Sequence, residues 1–299
     1  GISLRARAGG SEPMVVAQVA VDDAYWTFTQ EPAGPIARGA AVWLRIPYPW
    51  VLGEAHHVNL LTNTGATFGH EIGVAVSTPS PTWGQLRLQA VIGAIVGLLP
   101  VALGLMFYPA MKGVGRRGMN FLLALTVGLL AFLLIDMTAE ALELSGDAAA
   151  IFQGSAMVWL AALASFLLLM AIGRWRGNPE GIALAFYIAL GIGLHNLGEG
   201  LAIGSSYAVG EVALGTSLVF GFLLHNTTEG LGIVAPLARS RPSLVRLAAL
   251  GLIAGVPTIL GTWIGGFSYS PTASVLFLAI GAGAIVQVIV VLGRSMGSR

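Results

Sequence analysis

The chain has no cysteine among its 299 residues, which excludes disulfides, thiolate metal sites and a cysteine nucleophile. Charge is scarce too: 10% of residues are Asp, Glu, Lys or Arg, against about 25% in an ordinary soluble domain. The 15 Lys+Arg nearly cancel the 14 Asp+Glu and form no basic block, so no nucleic-acid partner is expected. Histidine is limited to five residues. The excess is apolar, with 56% hydrophobic residues and a mean hydropathy of +0.81, and a wholly soluble protein is excluded.

All the long apolar runs follow Leu86. Residues 1–85 are mixed in polarity, rich in Thr, Val, Gly and Pro, and interrupted every few residues by turn signals. Alternating β-branched and aromatic residues predict strands at Val15–Val21, Tyr25–Thr29, Ala41–Ile46, Val58–Thr62 and Ile72–Ser77. Asn63-Thr64-Gly65 reads as a hairpin turn, and Pro47, Pro49, Pro79 and Pro81 fall in connections. The expectation is an N-terminal all-β sandwich domain over residues 1–85.

Residues 86–299 predict an all-α polytopic membrane bundle, because a hydrocarbon core about 30 Å thick needs roughly 20 apolar residues per helix. Seven segments qualify, near 88–111, 119–142, 151–173, 182–208, 211–238, 243–267 and 272–293. Their short connections make neighbours antiparallel. Lys112, Arg116 and Arg117 lie in the first loop, Arg174 and Arg176 in the third, Arg239, Arg241 and Arg246 around the fifth, and Arg294 and Arg299 after the last segment. The second, fourth and sixth loops have no Lys or Arg. Because cations accumulate in cytoplasmic loops, this alternation predicts an integral membrane protein with the β-domain outside and the C-terminal end of the chain cytoplasmic. Residue 1 is glycine and no export signal precedes the outward domain, so a missing or processed start is expected.

The most informative feature is a duplication. His195-Asn196-Leu197-Gly198-Glu199-Gly200-Leu201 recurs as His225-Asn226-Thr227-Thr228-Glu229-Gly230-Leu231, near the middle of two consecutive segments. At about 100° per residue, Glu199 lies at about 40° between His195 at zero and Asn196 at about 100°, and the second copy repeats the arrangement. Two such faces opposed at the bilayer midplane offer two imidazoles, two carboxylates and two amide oxygens. A mid-membrane charge costs at least about 2.5–3.5 kcal/mol, and neither segment has a Lys or Arg near the motif to pair with its Glu. One dication would neutralise both carboxylates. Imidazole with carboxylate suits Zn²⁺, Fe²⁺ or Mn²⁺ better than Ca²⁺ or Cu⁺. Polar cross-linking of helices explains His and Asn but accounts poorly for a repeated ionisable Glu on the same face.

These paired motifs resemble those of the ZIP family of divalent-metal transporters, most strongly over residues 182–238, more weakly over 88–293, and not in the β-domain. The resemblance implies import of a divalent metal toward the cytoplasm, Zn²⁺ first and Fe²⁺, Mn²⁺ or Cd²⁺ as further substrates. The ligands implied are His195, Asn196, Glu199, His225, Asn226 and Glu229. It also implies an eight-helix fold with inverted repeats, so an eighth helix is expected beyond the seven. Many members have proline just before the motif Glu, where this chain has Gly198 and Thr228. Many also have a Glu-Pro pair on the sixth helix, where this chain has Gly255-Val256-Pro257-Thr258, so one strong metal position is expected rather than a binuclear site.

Asp136 and Glu140, one turn apart in the second segment, are read as a metal pathway, their alternative being an acidic helix end continuing into Glu143 and Asp147. Gln287 in the seventh segment is a further pathway candidate, with interhelical hydrogen bonding as its alternative. His56, His57, His70, Glu54 and Glu71 give the β-domain a metal-collecting look, although adjacent strand residues such as His56 and His57 face opposite ways. Trp83 fits an interfacial anchor, and Tyr48-Pro49-Trp50 fits either an anchor or a core. Metal ions, the lipid bilayer and a second copy in a homodimer are the expected partners. Two other classes were weighed. A membrane-embedded zinc hydrolase normally needs three His-rich protein ligands, against two membrane histidines and no His-Glu-x-x-His here. A metal sensor would need an output module that this sequence lacks. The expectation is a transporter, not an enzyme.

Overall fold

In a computed structural model of the chain, residues 1–111, 113–146, 154–174, 179–238, 240–267 and 271–297 are described. Lys112, Asp147, Arg176, Arg239 and Arg299 fall outside them. The chain divides into two compact units, Gly1–Thr78 and Pro79–Arg299.

The first unit holds two antiparallel sheets. One is ordered β1-β5-β4, from β1 (Ile2–Arg7), β4 (Thr29–Glu31) and β5 (Ala41–Ile46). The other is ordered β3-β2-β6-β7, from β2 (Val16–Val21), β3 (Ala24–Trp26), β6 (His56–Thr62) and β7 (Thr67–Ile72). Alternation fixes which side is buried: Val42, Leu44 and Ile46 of β5 and Val58 and Leu60 of β6 point inward, while Trp43 and Arg45 point out. Val19, Val21 and Ile36 complete a core shared by both sheets. The expected strands are corrected in three places. Ile2–Arg7 pairs with β5, its inward residues interleaved with Arg5 and Arg7. Tyr25–Thr29 splits into β3 and β4, which belong to different sheets. Ile72–Ser77 is not a strand: β7 ends at Ile72, and its partners across from β6 are residues 67–72. Gly65, at φ +84°, turns the β6–β7 hairpin as its glycine requires.

The second unit contains seven helices long and apolar enough to cross a membrane: α1 (Trp83–Met111), α2 (Arg116–Leu144), α3 (Gly154–Arg174), α4 (Gly181–Ala208), α5 (Val212–Leu237), α6 (Leu244–Phe267) and α7 (Pro271–Gly297). The protein is therefore suited to a bilayer as an integral membrane bundle. Thr82 caps α1 by accepting the Gln85 N–H on its hydroxyl. Around its motif α4 is buried on nearly every face, because α5, α6 and α7 all pack against it. Glycine makes the approaches close: a β-carbon on Gly200 would lie 2.1 Å from Thr258 O of α6, and one on Gly104 of α1 would lie 2.7 Å from Gly230 Cα of α5.

Candidate metal centre

Gly210, at φ +84°, ends α4 and lets the chain reverse into α5. His195 stands thirteen residues before the end of α4 and His225 thirteen residues after the start of α5. At 1.5 Å per residue both lie about 20 Å from the reversal, so an antiparallel pair brings the two motif copies level. The ring centroids of His195 and His225 are 6.0 Å apart.

Between them sits Glu199. Its Oε1 is 2.5 Å from His225 Nε2 and 3.1 Å from His195 Nε2, and its Oε2 accepts Asn226 Nδ2 at 3.0 Å. One ligand atom from each of His195, Glu199 and His225 can lie within 4.8 Å of the others, a spacing that could hold one metal ion. Glu229 closes the other side, with Oε1 3.7 Å from His195 Nε2. Asn196 approaches Glu229 in the same crosswise sense as Asn226 approaches Glu199. No donor among the described residues reaches either Glu229 oxygen with hydrogen-bond geometry. His195, Asn196, Glu199, Asn226 and Glu229 are all at most 1% exposed, whereas the His225 side chain is 12% exposed.

Sequence reasoning missed Met137 of α2, whose Sδ lies 3.1 Å from His195 Nδ1. A methionine in an apolar helix carries no signal of such a role. A thioether can only accept, so this contact assigns the ring proton to Nδ1. His195 Nε2 lies 3.1 Å from Glu199 Oε1 and 3.7 Å from Glu229 Oε1 and has no partner with hydrogen-bond geometry among the described residues. Acceptors facing one another in a buried site require a cation or a proton between them. Among the described residues His195 Nε2, Asn196 Oδ1, Asn226 Oδ1 and both Glu229 oxygens are all buried and without a hydrogen-bond partner, and these nitrogen and oxygen atoms are a suitable donor set for a divalent transition metal.

Asp136 is exposed and Glu140 half-buried on α2. Gln287 is buried, with Oε1 unpartnered among the described residues, beside Gly191, one turn from His195 on α4. Thr258 stands fully buried in place of the acid that the resemblance leads one to look for, its hydroxyl packed on Gly97. Both motif helices run uninterrupted through Gly198 and Thr228. The irregular turns are on flanking helices: α1 has a π turn at Ala94–Leu98 followed by Pro100, and α6 contains Pro257.

In the β unit, His56 and His57 do face opposite ways. His56 is buried with Nδ1 2.8 Å from Asp22 Oδ2, while His57 is exposed 3.7 Å from Glu71. Asp22 also accepts Tyr48 O–H at 2.7 Å and the His57 backbone N–H at 2.8 Å. These bonds hold its carboxyl well below the usual range, at about 2, the His57 N–H contributing most and Tyr48 next. The same carboxylate pushes the Tyr48 phenol up, first through that hydrogen bond. Tyr48 is thus part of a polar cluster, and Trp50 donates to Gly1 O. Trp83 is the exposed first residue of α1.

The chain matches no protein-family model and no curated protein. The resemblance to ZIP transporters thus rests on the residues of the two motifs.

Proposed function

We propose that this protein transports a divalent transition-metal ion, Zn²⁺ before Fe²⁺, Mn²⁺ or Cd²⁺, through the centre between α4 and α5. One observation carries the reading: among the described residues the buried, unpartnered Nε2 of His195 faces two buried carboxylates, with no Lys or Arg near either motif. His195, Glu199, His225 and Glu229 bind the ion, and Asn196 and Asn226 add amide oxygens or orient the carboxylates. The β unit lies outside, and the metal moves toward the cytoplasm, as the loop cations and the motif resemblance suggest. Two copies form the working unit.

A transported ion has to reach and leave a buried site, so the ligands are exposed to each side in turn by movement of one group of helices against another. The partial exposure of His225 favours it as the first ligand met. Glycine contacts join α4 to α6 and α5 to α1 almost backbone to backbone, which makes these pairs natural rigid units of that movement. Imidazoles must be neutral and carboxylates ionised to ligate, so binding weakens as pH falls. The test is Zn²⁺ flux into liposomes holding the full chain. Replacing His195 and Glu229 together by alanine is expected to abolish flux while the protein still inserts and folds. Undiminished flux in that double variant refutes the proposal.

A further inference from the structure

The prolines at 100 and 257 are absent from the motifs, yet each faces one of the motif asparagines. In an α-helix the N–H of residue i bonds the carbonyl of residue i−4, so Pro100 leaves Val96 O without its donor and Pro257 does the same to Ile253 O. Inside a bilayer such carbonyls have to be satisfied by a neighbour. On α1, Val96 O lies in the π turn and accepts Asn226 Nδ2 at 2.9 Å. On α6, Asn196 Nδ2 donates at 3.0 Å to Ala254 O, the carbonyl next to Ile253. Gly193, three residues before Asn196 on the same face of α4, lets the backbone sit on the opened turn. A β-carbon there would lie 2.3 Å from Ile253 O and 3.3 Å from Pro257 Cγ. Each copy of the duplicated motif thus plugs its asparagine into a proline-opened turn of a different flanking helix.

Such a bond fixes the amide end for end. The nitrogen of Asn226 faces two acceptors, Val96 O and Glu199 Oε2, and that of Asn196 faces Ala254 O, so neither amide can be reversed without setting oxygen against oxygen. Both side chains are 0% exposed, and both Oδ1 atoms are left without a partner among the described residues. We propose that Pro100 is a positioning residue for the metal centre: it opens the Val96 carbonyl, which locks Asn226 with its amide oxygen free for the cation, whereas Asn196 bonds Ala254 O, one carbonyl beyond the one that Pro257 frees. This inference rests on the metal-transport reading for its purpose, but the lock itself is independent of metal.

Two measurements on the full chain in detergent separate these parts. The first is thermal unfolding of metal-free N226A, P100A and N226A/P100A, with N196A, P257A and their double variant alongside. Alanine at 100 restores the ladder N–H to Val96 O, so the drop in Tm caused by N226A is expected to shrink by roughly half or more in the P100A background. The second is Zn²⁺ affinity by competition with a chromophoric chelator, together with the ligand-field spectrum of bound Co²⁺. P100A is expected to bind Zn²⁺ roughly tenfold more weakly and to shift the Co²⁺ bands, with Tm unchanged or raised, and P257A, which restores a donor to a carbonyl that Asn196 does not bond, serves as the comparison. A proline with a merely structural role would move Tm and leave the spectrum alone. Additive drops in Tm for N226A and P100A, or an unchanged affinity and Co²⁺ spectrum in P100A, overturn the proposal. A wild type that binds neither ion overturns the transport reading and with it the positioning role, while coupled Tm values would still establish the lock as a packing device.

Discussion

Replacing Glu199 by glutamine removes one negative charge and almost no volume. The carboxylate accepts from His225 Nε2 at 2.5 Å on one oxygen, which also lies 3.1 Å from His195 Nε2, and from Asn226 Nδ2 at 3.0 Å on the other. A glutamine amide cannot present oxygen on both sides. Either orientation sets its nitrogen against a donor, Asn226 Nδ2 on one side or His225 Nε2 on the other, so one of the two bonds is lost. The metal-free variant should therefore unfold somewhat below the wild-type temperature. Its metal site, however, loses one of two anions and gains a donor where a ligand lone pair is needed.

Uncovering a buried charge in this way costs about 3–5 kcal/mol, which is at least a hundredfold in affinity at about 1.4 kcal/mol per decade. At a Zn²⁺ concentration of 100 times the wild-type Kd, binding stabilises the wild type by about 2.7 kcal/mol, and the variant by less than about 0.5 kcal/mol. At about 2–4 °C per kcal/mol, the wild type should gain about 5–10 °C in Tm on adding Zn²⁺ and the variant about 1–2 °C at most. Differential scanning fluorimetry of the purified full chain, with a chelator-treated control, makes the comparison. An equal Zn²⁺-induced rise in the two proteins would refute the assignment of Glu199 as a ligand.

Two further predictions concern parts of the molecule away from the metal. Asp22 is held at about 2 chiefly by the His57 N–H, so its contribution to the β unit is present above the ordinary carboxyl value of 3.8 and is lost as pH falls through about 2. Hydrogen exchange at the His57 amide should follow this loss in the wild type and show no such pH step in D22N. In D22N the Tyr48 phenol should also ionise nearer its ordinary value of 10.0, read as a difference titration against Y48F; an unmoved Tyr48 transition would count against the pairing. Among the glycines, Gly104→Ala sets a β-carbon 2.2 Å from Thr227 O, so α1 and α5 must part, at a cost of about 1–3 kcal/mol or more. Gly128→Ala, in the middle of α2 with no described atom within 4 Å, should stabilise by about 0.5–1 kcal/mol, and equal Tm values for these two variants would disprove the packing argument.

How much could be read in advance depended on where the signal is carried. The seven helices were legible because each bilayer span has to be apolar over its whole length, a demand on some twenty consecutive side chains. Strands were read less well because a strand is defined by its partner. Ile2–Arg7 has Arg5 and Arg7 on its outer face and becomes a strand through its register with β5, while the apolar run after Ile72 lacks a partner from β6. The motif residues were legible through repetition, and their meeting followed from equal spacing on either side of Gly210. Pro100, Pro257 and Met137 were not, since each acts through a contact between helices far apart in sequence.

Repetition also concealed a difference. The two motif copies predict equal carboxylates, yet Glu199 receives donors on both oxygens and Glu229 receives none among the described residues. The motifs themselves cannot be the cause, because the His, Asn and Glu positions are identical. The surroundings differ: Met137 of α2 covers Nδ1 of His195, whereas His225 packs edge-on against Phe222 and keeps 12% of its side chain exposed. His225 Nε2 comes to 2.5 Å from Glu199 Oε1, while His195 Nε2 stays 3.7 Å from Glu229 Oε1. A cation entering past the partly exposed His225 meets Glu199 with donors on both oxygens and Glu229 with none in hydrogen-bond geometry among the described residues, so Glu229 is the carboxylate that should bind it with less rearrangement. The distinction comes from what packs on each imidazole, Phe222 of the same helix for His225 and, for His195, one methionine on α2, two helices earlier in the chain.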